Sequence, residues 1–346
     1  MDVNAPTSHQ RISRWPHTVA TVLVCATFPL IWVGGLVTTY DAGMAVPDWP
    51  STYGYNLFLY PVATWLGAPW DLFIEHGHRL LASAVGLITI AFVAVTWKFD
   101  DRRWMRWFSL VCLALVLLQG IIGGLRVVLD ENVLARLHGC LGPVFFVSCV
   151  AGAVFTSKWW YRSSQAMMPK LNPLMPSAIV RTSWILLVAT YLQLVLGAHL
   201  RHPSPTWSPR FFQVFVLAHL LMAAVIAVHA LMLVWQTRAS WIPKKLRYPV
   251  LFLVACVSGQ LLLGAGAWRV KYYWPTWLPQ PAFLEGYTVT AESMEQTITV
   301  TAHVAMGSLI LAICTMIALR ATRLFAESRP SVAGAVSTGF VLEAVL

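Results

Sequence analysis

The chain is 346 residues long, 58% hydrophobic and only 11% charged, with a mean hydropathy of +0.66, whereas soluble domains carry roughly one-quarter charged residues. That balance excludes a soluble globular protein and marks an integral membrane protein. The formal charge of +10 would suggest a nucleic-acid partner in a soluble chain, but here membrane topology accounts for it, as described below, and no nucleic-acid partner is expected.

Eight apolar stretches of about 20 residues, each long enough to cross a hydrocarbon core of about 30 Å as helix, are predicted at 17–38, 74–97, 107–128, 134–156, 180–200, 211–235, 249–268 and 298–319. The first is not a cleavable signal peptide, because its apolar part runs past the usual roughly 7–15 residues and continues into Gly34-Gly35 without a small-residue cleavage end. Cys25, Cys112, Cys140, Cys149, Cys256 and Cys314 all fall inside these runs and none forms a CxxC. Neither a loop disulfide nor a zinc knuckle can be argued from that placement.

With the N-terminus placed inside, the inner segments hold 17 of the 24 basic residues and 5 of the 14 acids, and the outer ones hold 7 and 9. The net charge thus divides into +12 inside (17 minus 5) and −2 outside (7 minus 9), the positive-inside pattern. A multi-pass protein of the cell (inner) membrane with both termini cytoplasmic is expected.

The spans repeat in pairs. The third ends Gln119-Gly120-Ile121-Ile122-Gly123-Gly124-Leu125-Arg126 and the fourth opens Arg136-Leu137-His138-Gly139. The fifth ends Gln193-Leu194-Val195-Leu196-Gly197-Ala198-His199-Leu200-Arg201, before Leu217-Ala218-His219-Leu220 opens the sixth. The seventh ends Gln260-Leu261-Leu262-Leu263-Gly264-Ala265-Gly266-Ala267-Trp268-Arg269, and Thr301-Ala302-His303-Val304 opens the eighth. The first ends Gly34-Gly35-Leu36-Val37-Thr38 without an arginine, and the second opens Glu75-His76-Gly77-His78-Arg79. A glycine-containing helix end, an outer loop and a histidine-led helix therefore recur in each hairpin. The expected fold is an all-α integral membrane protein, eight transmembrane helices arranged as two pseudo-symmetric four-helix bundles. The expected boundaries are 1–160 for the N-terminal bundle, 161–176 for a cytoplasmic linker, 177–325 for the C-terminal bundle and 326–346 for a cytoplasmic tail. The glycines would let helices or a large flat ligand approach the backbone.

Two outer loops are long and aromatic. Loop 1, roughly Tyr40 to Asp71, carries Pro47-Asp48-Trp49-Pro50, and the loop before the last span carries Tyr272-Tyr273-Trp274-Pro275-Thr276-Trp277. An interfacial aromatic belt and a lid over an outer pocket are both open readings.

The four histidines His78, His138, His219 and His303 fall at one depth on the outer side. Neutral imidazoles on facing helices of a bundle can supply both axial bonds to a haem iron, and two histidines per half match two haems. The scattered cysteines argue against zinc or copper-thiolate sites. His229 follows His219 by ten residues, about 15 Å along a helix, and is read as a core hydrogen-bonding group. His76, His199 and His202 lie outside the repeated positions. Arg79, Arg126, Arg201 and Arg269 sit in the outer layer, where they either pair with haem propionates or snorkel to the surface. Glu75 lies three residues before His78 and has no counterpart before the other histidines, where Ala135, Val216 and Val300 stand. It would cap the first helical turn, hydrogen-bond a ligand or move protons at a substrate.

These motifs taken together, with Thr39 to Pro50 and the E-x-x-H-R of Glu75, His78 and Arg79, resemble the haem A synthase family, membrane enzymes that oxidise a ring methyl of haem O to the formyl group of haem A for terminal oxidases. The resemblance implies that the N-terminal half holds the substrate haem O between His78 and His138. It implies haem b between His219 and His303 in the C-terminal half, and assistance to the oxidation by Glu75. Haem sites toward the outer face, membrane lipid, an unspecified electron donor, and contact with haem O synthase or terminal oxidase assembly are the implied surroundings. One departure is that many bacterial members carry a cysteine pair in loop 1 where this chain has Val46 and Ser51-Thr52. The rival readings are a quinol-linked di-haem cytochrome b that makes no haem product, and a carrier that only hands haem on.

Overall fold

The computed structural model describes residues 13–162, 174–202, 207–272 and 293–325. The loop before the last helix, most of the expected linker and the C-terminal tail lie outside the described residues. Among those described, the order is α1 (Trp15–Thr39), α2 (Val62–Leu66), α3 (Trp70–Phe99), α4 (Arg103–Val128), α5 (Asn132–Thr156), α6 (Lys158–Arg162), α7 (Leu174–Arg201), α8 (Pro209–Thr237), α9 (Lys244–Tyr272) and α10 (Met294–Phe325).

Eight of these helices, all but the short α2 and α6, are long and apolar enough to cross a membrane. The chain is an all-helical, multi-pass membrane protein. Several helices run beyond their apolar windows: α3 begins at Trp70 rather than 74, and α9 at Lys244 rather than 249. Polar ends are where caps and headgroup-level residues sit, so hydropathy alone undercounts them. In α3 the chain enters through Pro69, places Asp71 in the first turn and Lys98 in the last, and leaves at an extended Asp100, a charge order that suits the helix dipole.

Helix contacts follow the same cycle in each half. In the first, α1 packs on α3, α3 on α4, α4 on α5 and α5 on α1; in the second, α7 packs on α8, α8 on α9, α9 on α10 and α10 on α7. The halves meet where α1 and α5 face α10, and where α5 meets α7. Leu23, Phe92, Met105 and Phe145 fill the first core, Leu186, Leu233, Leu253 and Ile317 the second, and Phe146, Val150 and Ala312 the seam. Since lipid is as apolar as these side chains, close packing rather than exclusion of water holds the helices together.

The C-terminal ends of α1 and α4, which carry Gly34 and Gly123, terminate alike. Asp41 and Asp130 both take positive φ, at 56° and 48°, and the next amides reach back five residues, Ala42 N to Val37 O at 2.9 Å and Glu131 N to Arg126 O at 3.3 Å. This is the Schellman closure, which satisfies terminal carbonyls. It sits seven residues after Gly34 in α1 and seven after Gly123 in α4.

At the opposite end of the bundle, Asp100 fixes the turn between α3 and α4. It accepts from the Arg102 guanidinium at 2.6 and 2.9 Å and from the Tyr161 hydroxyl at 3.1 Å. Burial opposes its charge, but these partners prevail and hold the carboxyl below its ordinary range, while burial pushes the Tyr161 phenol up to about 12.

Candidate functional site

Each of the four histidines leans on the glycine that ends the preceding long helix. A Cβ at Gly34 would stand 2.9 Å from His78 Cε1, one at Gly123 3.0 Å from His138 Cε1, one at Gly197 3.4 Å from His219 Cε1, and one at Gly264 3.0 Å from His303 Cε1. Contacts below about 3.4 Å are too tight for most side chains, so glycine is what admits the His78, His138 and His303 rings, while His219 makes an ordinary contact with Gly197. The close approach anticipated for a flat ligand is thus made first by the histidine rings.

The rings pair within each half. His219 and His303 have centroids 6.3 Å apart with planes at 56°, and His78 and His138 are near enough to interact electrostatically. A metal bonded to two imidazoles at about 2 Å from each nitrogen sets ring centres about 6 Å apart. The Nδ1 atoms of His78, His219 and His303 and the side-chain oxygens of Gln193 and Gln260 are buried without a hydrogen-bond partner. Such orphans in an apolar bundle cost about 1–3 kcal/mol each. The paired imidazoles of both halves, the His219–His303 spacing and the unmet imidazole nitrogens fit a haem group.

The glutamines that open the repeated helix ends carried no role in the sequence, although Gln119, Gln193 and Gln260 each stand four residues before the seating glycine. The Gln119 amide lies 3.1 Å from His138 Nδ1 and 3.2 Å from the Gly142 amide. Gln260 Nε2 lies 3.5 Å from His303 Nε2, and a Cβ at Gly307 would stand 3.3 Å from it. Gly142 and Gly307 each follow their histidine by four, so glutamine, glycine, histidine and glycine occupy corresponding places in the second hairpin of each half. The first hairpin has Leu30 in place of the glutamine.

Glu75 is 3% exposed and both its oxygens are engaged, Oε1 by Arg79 Nη2 at 2.8 Å and Oε2 by the Val46 amide at 2.8 Å. It is not a first-turn cap, since α3 starts five residues earlier and Asp71 fills that role. Arg79 also donates to the carbonyls of Val46 at 2.7 Å, Asp48 at 2.6 Å and Ser51 at 3.0 Å. Its guanidinium therefore clamps loop 1. His76 is buried, contacts Thr52 Oγ1 at 3.1 Å and lies among Tyr60 and Trp65. Hydrogen bonds thus fasten the very positions, Val46 and Ser51-Thr52, where the cysteine pair is absent. Asp48 closes the loop on itself, accepting from Tyr53 N at 2.7 Å and Gly54 N at 2.9 Å. Burial works against its charge, but these amides and the Ser51 hydroxyl hold its carboxyl below the ordinary range.

Arg126 and Arg201, one from each half, line a single cavity of about 290 Å³ at the seam with Asp41, Asp130, Glu131 and His202. Arg126 donates to Gly43 O at 3.1 Å. Arg201 crosses the seam to Gly35 O and Thr39 Oγ1, both at 3.0 Å. Arg269 lies near the end of α9, away from that cavity's lining. His199 donates to Val195 O at 2.8 Å and stacks on Phe215. His229 is partly buried and donates to Val225 O of its own helix at 2.8 Å.

Residues 17–206, more than half of the chain, match the COX15-CtaA family, described as cytochrome oxidase assembly protein. The chain belongs to this family. Among its relatives, a heme A synthase of Exiguobacterium sibiricum is 25% identical over 264 residues, covering 72% of this chain and 83% of its own length. Another, from Shouchella clausii, is 24% identical over 249 residues, covering 67% and 77%. The family match spans both histidines of the first half, and the longer alignments extend beyond it. In this COX15-CtaA chain, the four histidine seats, the loop 1 clamp and the shared cavity all lie at one end of the bundle.

Proposed function

We propose that this protein is a haem A synthase, an oxidoreductase that converts the ring methyl of haem O to a formyl group. Membership of the COX15-CtaA family, with relatives named heme A synthase, carries this reading. The paired histidines on glycine seats support two haem sites. In the reading, His78 and His138 hold the substrate haem O, and His219 and His303 hold a resident haem b. When bound, haem iron supplies the redox chemistry that oxidising an unactivated methyl requires.

The chain's own residues bind and orient. The glycine seats fix each imidazole, and Gln119 and Gln260 steady the ring of the second histidine in each pair, as outer partners of ligating imidazoles do. Arg126 and Arg201 offer guanidinium groups to propionates at the seam, with Arg269 a further candidate in the second half. Arg79 reaches that site only through loop 1. Glu75 is the acid of the substrate half, buried beside loop 1, where release from Arg79 or Val46 would free an oxygen for proton transfer. The basic excess of the inner segments supports a cell-membrane protein with cytoplasmic termini and haem sites toward the outer face.

The test is expression of the full chain with a source of haem O, followed by extraction of haems, chromatography and mass measurement. Haem A is the expected product. Recovery of only haem B and unmodified haem O would overturn the reading in favour of a di-haem cytochrome b.

A further inference from the structure

The second glycine of each pair distinguishes the two halves. A Cβ at Gly124 would collide with the indole of Trp49, whose Cδ2, Cε2 and Cε3 atoms lie over that residue. Gly124 directly follows Gly123, the seat of His138, so the indole and the imidazole rest on adjacent residues of α4. In the second half the corresponding places hold Ala198 and Ala265, whose methyl groups would deny an indole such a seat. At Gly35, the remaining counterpart, a Cβ would meet the Thr301 methyl at 3.2 Å. Only the hairpin carrying His138 therefore accepts an aromatic side chain from loop 1.

Trp49 is also held from the other side. Arg79 gathers the carbonyls of Val46, Asp48 and Ser51, which bracket Trp49 in sequence, and Glu75 takes the Val46 amide. Loop 1 thus carries one indole to the α4 backbone and is tied there by two residues of α3 that neighbour His78. The indole is 39% exposed, so part of its surface remains available to a ligand.

We propose that Trp49 is a substrate-contact residue that closes the N-terminal haem site over the porphyrin, and that Arg79, held by Glu75, is a positioning residue acting through it. The proposal rests on the haem A synthase reading. It gives the asymmetry of the halves a physical basis: the substrate site has an aromatic cover that must admit and release its macrocycle, and the resident site is built on alanines that exclude one.

The experiment measures haem O affinity of purified full-length protein in detergent by absorbance titration, alongside haem A yield, for wild type, Trp49→Ala, Trp49→Phe and Gly124→Ala. The haem held by His219 and His303, read from its own absorbance, reports folding in every variant. Trp49→Ala and Gly124→Ala are each expected to bind haem O about tenfold more weakly, with Trp49→Phe near wild type and the second haem retained throughout. Wild-type conversion matched in affinity and yield by Trp49→Ala and Gly124→Ala would overturn the role of Trp49 alone. A wild type that neither binds nor converts haem O would overturn it together with the function on which it rests.

Discussion

His78 Cε1 stands 2.9 Å from where a Cβ on Gly34 would be, so the imidazole lies against bare helix backbone. The same relation recurs at 3.0 Å for His138 on Gly123 and His303 on Gly264, and relaxes to 3.4 Å for His219 on Gly197. Gly34→Ala, Gly123→Ala and Gly264→Ala should displace their rings and lower haem retention at the affected half about tenfold, as overpacking does. Gly197→Ala should be nearly neutral. Haem-to-protein ratios of the purified variants check this gradation.

Glu75→Gln leaves an oxygen for the Val46 amide but turns an N–H toward Arg79, so one end of the clamp is lost. Loop 1 should become readily cleaved by protease added from outside, and haem A yield should fall at least about tenfold, while the haem at His219 and His303 persists. Protease protection equal to wild type would show that the carboxylate does not fasten the loop.

Asp48 holds loop 1 through the amides of Tyr53 and Gly54, and its carboxyl is depressed in the folded protein. A depressed carboxyl contributes stability above its unfolded pKa and loses it as pH falls through the folded value. Protection of those two amides, followed by pulsed hydrogen exchange, should hold from pH 7 down to the ordinary carboxylate value of 3.8 and decline only below it. Asp48→Asn should lower the protection already at pH 7.

The buried Asp100 pairs with Arg102 and accepts from Tyr161. Asp100→Asn leaves the guanidinium short of its partner and should cost about 2 kcal/mol, seen as a lowered melting temperature in detergent. Tyr161→Phe should cost less, about 1 kcal/mol.

Hydropathy and length made all eight membrane helices legible, because spanning segments must satisfy their backbone internally. The four histidines were legible as a repeat. What the sequence concealed were relations across space. Gln119, Gln193 and Gln260 recur at fixed spacing, yet only the fold sets Gln119 and Gln260 beside His138 and His303. Arg79 looked equivalent to Arg126 and Arg201, yet its guanidinium is used by loop carbonyls 28 to 33 residues away. His229 read as a hydrogen-bonding group, and only the fold shows that its partner is a carbonyl of its own helix, Val225 O.

The most direct measurement is haem composition in wild type and His78→Ala, each produced with a haem O source. The account predicts haem A from wild type and none from His78→Ala, with haem still bound through His219 and His303 in both. Wild-type levels of haem A from His78→Ala, or no haem A from either protein, would contradict it.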